Sequence, residues 1–306
     1  MAVEITVKYA RLPNGIRYHY QLWVPQDPIA LAVYVHGLGD HIGRYGPLVA
    51  RLTDAGIACA LFDQRGHGRT EGRRGHVERF MDWVDDLASF VHFSLGAMPR
   101  ELPLFLIGQS LGALIGVNYL LMHAAPVAGM VAVSPAFEPT VRIPEWKMKL
   151  GLRTARLLPE LSIANGIRLE DLTRDAAALA ALAKDPLFHR RITLWAGTEI
   201  LRTLELVPGY PHRIHIPMLL LTGADDRVVA PQGAVRFLQG LASLDRAHAS
   251  YPGMLHDLPH DVGSEQVLGD ITGWIFERAR EAVPRDPQYH LRRGESIWED
   301  ASSSAL

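Results

Sequence analysis

The chain has 306 residues, of which 48% are hydrophobic and 21% charged, so it can bury a large core as one big domain or a domain with an insertion, and disorder is excluded. A formal net charge of −2 without any basic run gives no electrostatic reason to expect nucleic acid, and no apolar stretch approaches the length of a membrane span. The single cysteine, Cys59, sits in an apolar run and reads as an inert buried thiol, while fourteen scattered histidines without an H-E-x-x-H pattern lead us to expect no metal. The start Met1-Ala2-Val3-Glu4 lacks the features of a signal peptide, and a cytoplasmic protein is expected.

Taken in order, Ile5 to Tyr9 and Ile16 to Val24 flank Pro13-Asn14-Gly15, which predicts an antiparallel hairpin at a sheet edge. Leu31 to Val35 is a continuous apolar run, the pattern of a strand covered on both faces, and it ends at His36-Gly37-Leu38-Gly39-Asp40-His41. Tyr45, Leu48, Val49 and Leu52 mark a helix closed by Gly56. The strand Ala58 to Phe62 then opens into the loop Asp63-Gln64-Arg65-Gly66-His67-Gly68-Arg69-Thr70. Phe80, Val84, Leu87, Val91 and Leu95 keep helical spacing up to Leu104-Phe105-Leu106-Ile107-Gly108-Gln109-Ser110-Leu111-Gly112, where a buried strand runs into a serine and straight out into a helix. With Met130 to Val133, five such strand–helix units bracket Ser110 and predict a doubly wound, mostly parallel α/β sheet.

Residues 138–216 break this rhythm. Helical patterns over Arg142 to Pro159, Asp175 to Ala183 and Ile192 to Leu206, with no strand as clear as the earlier ones, suggest an inserted helical cap. It holds 12 Lys/Arg and 9 Asp/Glu, a net +3 in a chain whose total is −2, so it could touch an anionic lipid surface, although ordinary solvated helix faces explain the same residues. The sheet resumes at Met218 to Gly223 and around His248 to Tyr251, and Val267, Ile271, Trp274, Ile275 and Arg278 fit a last helix. The expected division is a core of 1–137 and 217–283, the cap, and a polar tail from 284 to 306.

The serine is where chemistry concentrates. A sharp strand-to-helix turn needs small residues two positions before and after its apex, and Gly108 and Gly112 supply them. A serine hydroxyl is a poor nucleophile without a base and a group that orients the base. Asp226, three residues past Gly223, and His256, after the next strand, should open at the same sheet edge as Ser110; Asp225 and Glu138 compete for the first role, His260 and His248 for the second. An oxyanion hole needs two backbone N–H groups, for which Leu111 and Leu38 are the candidates, and their side chains could wall an acyl pocket. Asp63, His67, His36 and Arg65 read mainly as hydrogen-bond braces of the loops.

These motifs, together with Arg44-Tyr45, Gly223-Ala224-Asp225-Asp226 and Asp185-Pro186-Leu187, resemble the monoacylglycerol lipase and lysophospholipase branch of the α/β-hydrolases, a group also labelled serine aminopeptidase-like. The resemblance covers about residues 5 to 280. It implies the α/β-hydrolase fold, with an eight-stranded type of mostly parallel sheet and a mobile apolar cap. It also implies a cofactor-free hydrolase of glycerol esters with Ser110, Asp226 and His256 as triad and a small lipid-like ester as partner. Gln109, Leu111, Ala113 and Asp40 stand where the family often has histidine, methionine, a second glycine and glutamate. A lysophospholipase or general carboxylesterase, a serine aminopeptidase using Glu145, Glu160 or Glu199, and a non-catalytic binder of a small ligand are the alternatives.

Overall fold

The structure, a computed structural model, describes residues 3–123, 126–140 and 145–281, with the side chains of 145–150 outside that description. Residues 284–306, Ile143, and the side chains of Trp146, Lys147, Lys149 and Leu150 therefore lie outside the described residues.

Strands β1 (Val3–Arg11) and β2 (Arg17–Pro25) form the expected hairpin, in which Leu12 N–H donates to Ile16 O at 3.2 Å and Gly15 takes φ +82°. The run then alternates through β3 (Ala30–Val35), α1 (Gly46–Asp54), β4 (Ile57–Phe62), α2 (Phe80–Gly96), β5 (Leu104–Gln109), α3 (Leu111–Met122) and β6 (Val127–Val133). Next come α4 (Glu145–Leu157), β7 (Ser162–Ala164), α5 (Ala176–Lys184), β8 (Arg191–Thr193) and α6 (Leu194–Leu206). The chain continues through β9 (Met218–Gly223), α7 (Pro231–Gln239), β10 (Arg246–Tyr251) and α8 (Ser264–Glu281). Eight strands make one sheet in the order β1-β2-β4-β3-β5-β6-β9-β10, parallel from β4 to β10 and antiparallel at the hairpin edge.

Alternate residues of the central strands feed two cores, as a pleated strand covered on both faces requires. Leu31, Val33 and Val35 of β3 with Leu104 and Leu106 of β5 pack on the side of α2, α3 and α7. Ala32, Tyr34, Phe105 and Ile107 pack on the side of α1 and α8. Cys59 is buried in the second core, and burial pushes its thiol up, as expected of an inert group.

Between the neighbouring strands β6 and β9 the chain makes its long excursion. The sequence reading anticipated helices there but not the short antiparallel ribbon in which Ser162, Ile163 and Ala164 pair with Thr193, Ile192 and Arg191. Three-residue strands carry too little periodicity to be read from sequence. The excursion is fastened to the core: His189 N–H donates to Gly39 O at 2.9 Å, Thr193 N–H to Gly75 O at 3.0 Å, and Trp195 Nε1 to Glu78 O at 2.5 Å. Among the described residues no helix is long and apolar enough to cross a membrane, and no group of His, Cys, Asp or Glu is placed to hold a metal ion.

Candidate active site

The carboxyl ends of the parallel strands meet at one edge of the sheet, and the loop after β5 begins at Ser110. Its backbone has φ 52° and ψ −115°, a conformation that L residues adopt only when the surrounding chain enforces it. The enforcement is visible: Ser110 N–H donates to Val133 O at 2.9 Å, and Ser110 O accepts from Ala113 at 3.1 Å and Ala136 at 3.2 Å. The flanking glycines are needed because of what surrounds them. A Cβ on Gly108 would come within 2.6 Å of Ala113 Cα, and one on Gly112 within 2.0 Å of Val35 O.

Two other loops reach this serine. His256, 4% exposed, sets Nε2 2.9 Å from Ser110 Oγ and Nδ1 2.8 Å from Asp226 Oδ2. The carboxylate is an acceptor, so Nδ1 carries the proton and Nε2 is left to accept from the serine hydroxyl. Asp226 is held in turn by its other oxygen, which accepts from the backbone of Val228 at 2.8 Å and Val229 at 3.0 Å. The competing residues lie elsewhere. Asp225 is exposed, Glu138 pairs with Arg236, His248 meets Thr222 Oγ1 at 2.9 Å, and His260 meets Asp257 at 2.8 Å.

The loop after β3 lies against the serine, since a Cβ on Gly37 would sit 3.5 Å from Ser110 Cβ. No partner outside regular helix and strand bonding is found among the described residues for the N–H of Leu38 or of Leu111. Their side chains divide. Leu38 lines the pocket above Ser110, whereas that of Leu111, read from sequence as a second wall, packs into the core beneath. The apolar wall is supplied instead by Ile167, Leu172 and Phe188 of the excursion.

The polar floor of the pocket is a set of buried polar and charged groups whose pairing with one another the sequence reading did not anticipate, and Asp257 at its centre was not singled out. Asp257 accepts from Gln109 Nε2 at 2.8 Å, His260 Nδ1 at 2.8 Å and Arg44 Nη2 at 2.6 Å, while Arg44 Nη1 also donates to Asp40 at 3.0 Å. Burial alone would raise the Asp257 pKa, but His260 and Arg44 outweigh it and hold the carboxyl well below the usual range. For His260 burial acts downward and Asp257 outweighs it, raising its pKa; both ring nitrogens face acceptors, Asp257 and, at 3.1 Å, Arg44 O. The signal in the sequence was the His256-Asp257 neighbourhood with His260 one turn on, which only a tertiary contact to Arg44 makes legible.

Loop bracing accounts for the other polar residues at this edge. Asp63 accepts from the backbone of Ile42 and Arg69, each at 2.8 Å, and from His19 at 2.9 Å. Arg65 grips Asp86 with two bonds of 2.6 Å, His36 accepts from Gln64 N–H at 3.0 Å, and His67 donates to Arg65 O at 3.0 Å.

This constellation has relatives. A family model described as serine aminopeptidase, S33, matches residues 26–263. A rat monoglyceride lipase is 30% identical over 91% of this chain and 95% of its own length. An uncharacterized abhydrolase domain-containing protein of Dictyostelium discoideum is 28% identical over 88% of this chain, which spans only 29% of that longer relative. The crystal structure of a monoacylglycerol lipase from Paleococcus ferrophilus superimposes with a TM-score of 0.77 at 29% identity, covering 91% of this chain and all of the other.

Proposed function

The chain belongs to the serine aminopeptidase, S33, family of α/β-hydrolases, and from that membership we propose that it is a serine hydrolase of carboxylic esters whose substrates are monoacylglycerols. The observation that carries the mechanism is the run Ser110 Oγ, His256 Nε2, His256 Nδ1, Asp226 Oδ2, with 2.9 and 2.8 Å across its two gaps. Ser110 attacks the ester carbonyl while His256 takes the hydroxyl proton, and Asp226 stabilises the imidazolium that forms. The N–H groups of Leu38 and Leu111 receive the negative charge on the carbonyl oxygen, a contribution of about 3–4 kcal/mol per donor. His256 returns its proton to the leaving glycerol, and water then repeats the sequence on the acyl-enzyme. These steps call for no metal or cofactor.

The described residues of the excursion between β6 and β9 act as a cap over this centre, with Ile167, Leu172 and Phe188 facing the acyl chain. The cap also supports transient contact with a membrane surface. Leu157, Leu158, Leu161 and Ile163 are 81%, 54%, 45% and 44% exposed within seven residues of chain, beside the exposed Arg153 and Arg156.

An aminopeptidase would need a free carboxylate for the substrate ammonium. Asp40 and Asp257 reach the pocket, but Arg44 and His260 already pair with them; Glu160 pairs with Arg73, Glu199 with Arg202, and the Glu145 side chain lies outside the described residues. Incubation with monoacylglycerols, p-nitrophenyl esters of rising chain length, lysophospholipids and aminoacyl amides tests the assignment. Turnover should be highest on monoacylglycerols, and amide turnover exceeding ester turnover would overturn it.

A further inference from the structure

Ser110 and His256 belong to loops that start far apart. Strands β5 and β10 are separated in the sheet by β6 and β9, so the two loops leave it about 14 Å apart at ordinary strand spacing. The ladder therefore does not by itself set the gap across which the hydroxyl proton moves, and contacts made by the loops themselves contribute to it.

Gln109 precedes the serine and Asp257 follows the histidine, and these two side chains meet directly: Gln109 Nε2 donates to Asp257 Oδ1 at 2.8 Å. Gln109 is 4% exposed and Asp257 2%. The other end of the amide is fixed as well, since Oε1 accepts from Tyr34 at 2.7 Å and lies 2.5 Å from the Tyr45 hydroxyl. On its far side Asp257 is held by Arg44 and His260, and its own N–H donates to Leu172 O at 2.7 Å. The Tyr45 hydroxyl also lies 2.5 Å from Asp40 Oδ2, so Tyr34 is the donor that the amide oxygen holds to itself, and a primary amide suits this place because it accepts through its oxygen while donating to a carboxylate through its nitrogen.

We propose that Gln109 is a positioning residue: its bond to Asp257 ties the nucleophile turn to the loop of the base and sets the Ser110–His256 separation. The inference rests on the serine-hydrolase reading of this site. It assigns Gln109 no contact with the reacting atoms; it acts through Asp257 on where His256 sits.

The discriminating variant is Gln109→Glu, which keeps an acceptor for Tyr34 but sets a second carboxylate against Asp257. When Glu at 109 is ionised the bond becomes a repulsion, and when it is protonated its O–H donates to Asp257 again. Arg44, His260 and Asp40 surround Asp257 in both variant and wild type, so the ratio of the two isolates position 109. On a p-nitrophenyl ester at pH 9 we expect kcat to fall about 10- to 100-fold at nearly unchanged KM, the scale of a misplaced catalytic group. The deficit should shrink towards pH 6. Combining it with Asp257→Asn reverses the donor and acceptor and should recover much of the lost kcat at pH 9. If Gln109→Glu does not fold, Gln109→Met, which keeps the length without the bond, should lower kcat at every pH.

Wild-type kcat in the folded variant, a rise in KM alone, a deficit that does not change with pH, or a double variant no faster than the single would each overturn the proposal. Its failure is separable from that of the hydrolase reading. If a fluorophosphonate labels wild type at Ser110 and labels Gln109→Glu at the same rate, only the positioning role is lost; if wild type is not labelled, the hydrolase reading is lost.

Discussion

Asp226 Oδ2 stands 2.8 Å from His256 Nδ1, whereas its neighbour Asp225 is exposed and offers its backbone N–H to Met254 O at 3.1 Å. One residue of register thus separates the carboxylate that meets His256 from one at the surface. Asp226→Asn should keep the shape of the site but favour the wrong imidazole tautomer, at a cost of about three to four orders of magnitude in kcat. Asp225→Asn should leave kcat near wild type. Steady-state kinetics of the two variants on one ester decide the matter, and the reverse ranking would show that the acid is misassigned.

Asp185 joins the excursion between β6 and β9 to the loop that carries Leu38, through a 2.7 Å bond to His41 Nε2. Burial would raise its pKa, but His41 and the backbone N–H groups of Leu187 and Phe188 outweigh that and lower it. A carboxyl so lowered stabilises the fold above its unfolded pKa, and the contribution is lost as pH falls through the folded value. Asp185→Ala should therefore cost about 1–3 kcal/mol at pH 7 by denaturant unfolding, and the gap to wild type should close in strongly acid solution. An unchanged unfolding midpoint at pH 7 would show that this bond fastens nothing.

His260 carries the opposite sign. Its folded pKa is raised, so its stabilising contribution is fully present below the ordinary histidine value of 6.5 and fades as pH rises through the folded value. The stability difference between wild type and His260→Gln should be largest at pH 5.5 and smaller at pH 9. A difference that grows with pH would contradict the pairing with Asp257.

What could be read from the sequence was what is local. Gly108 and Gly112 around Ser110, the edge hairpin at Pro13-Asn14-Gly15, and the offset of Asp226 from Gly223 are set by turn sterics and strand ends, and the structure has the turn, the hairpin and the 2.8 Å contact. The charged floor was not legible, because Asp40, Arg44, Asp257 and Gln109 become partners only when the loops after β3, β5 and β10 are brought to one edge. Leu111 shows the same limit. Its N–H could be placed from its position after the serine, but its side chain goes to the core, a choice made by the packing of α3.

On the proposed mechanism Ser110 is the nucleophile of an ester hydrolase. The most direct measurement is covalent labelling by a fluorophosphonate with mass mapping of the modified peptide, paired with monoacylglycerol turnover by wild type and Ser110→Ala. A single adduct on Ser110 is expected, and a folded Ser110→Ala variant with neither adduct nor turnover. Labelling at another residue, or turnover retained by Ser110→Ala, would contradict it.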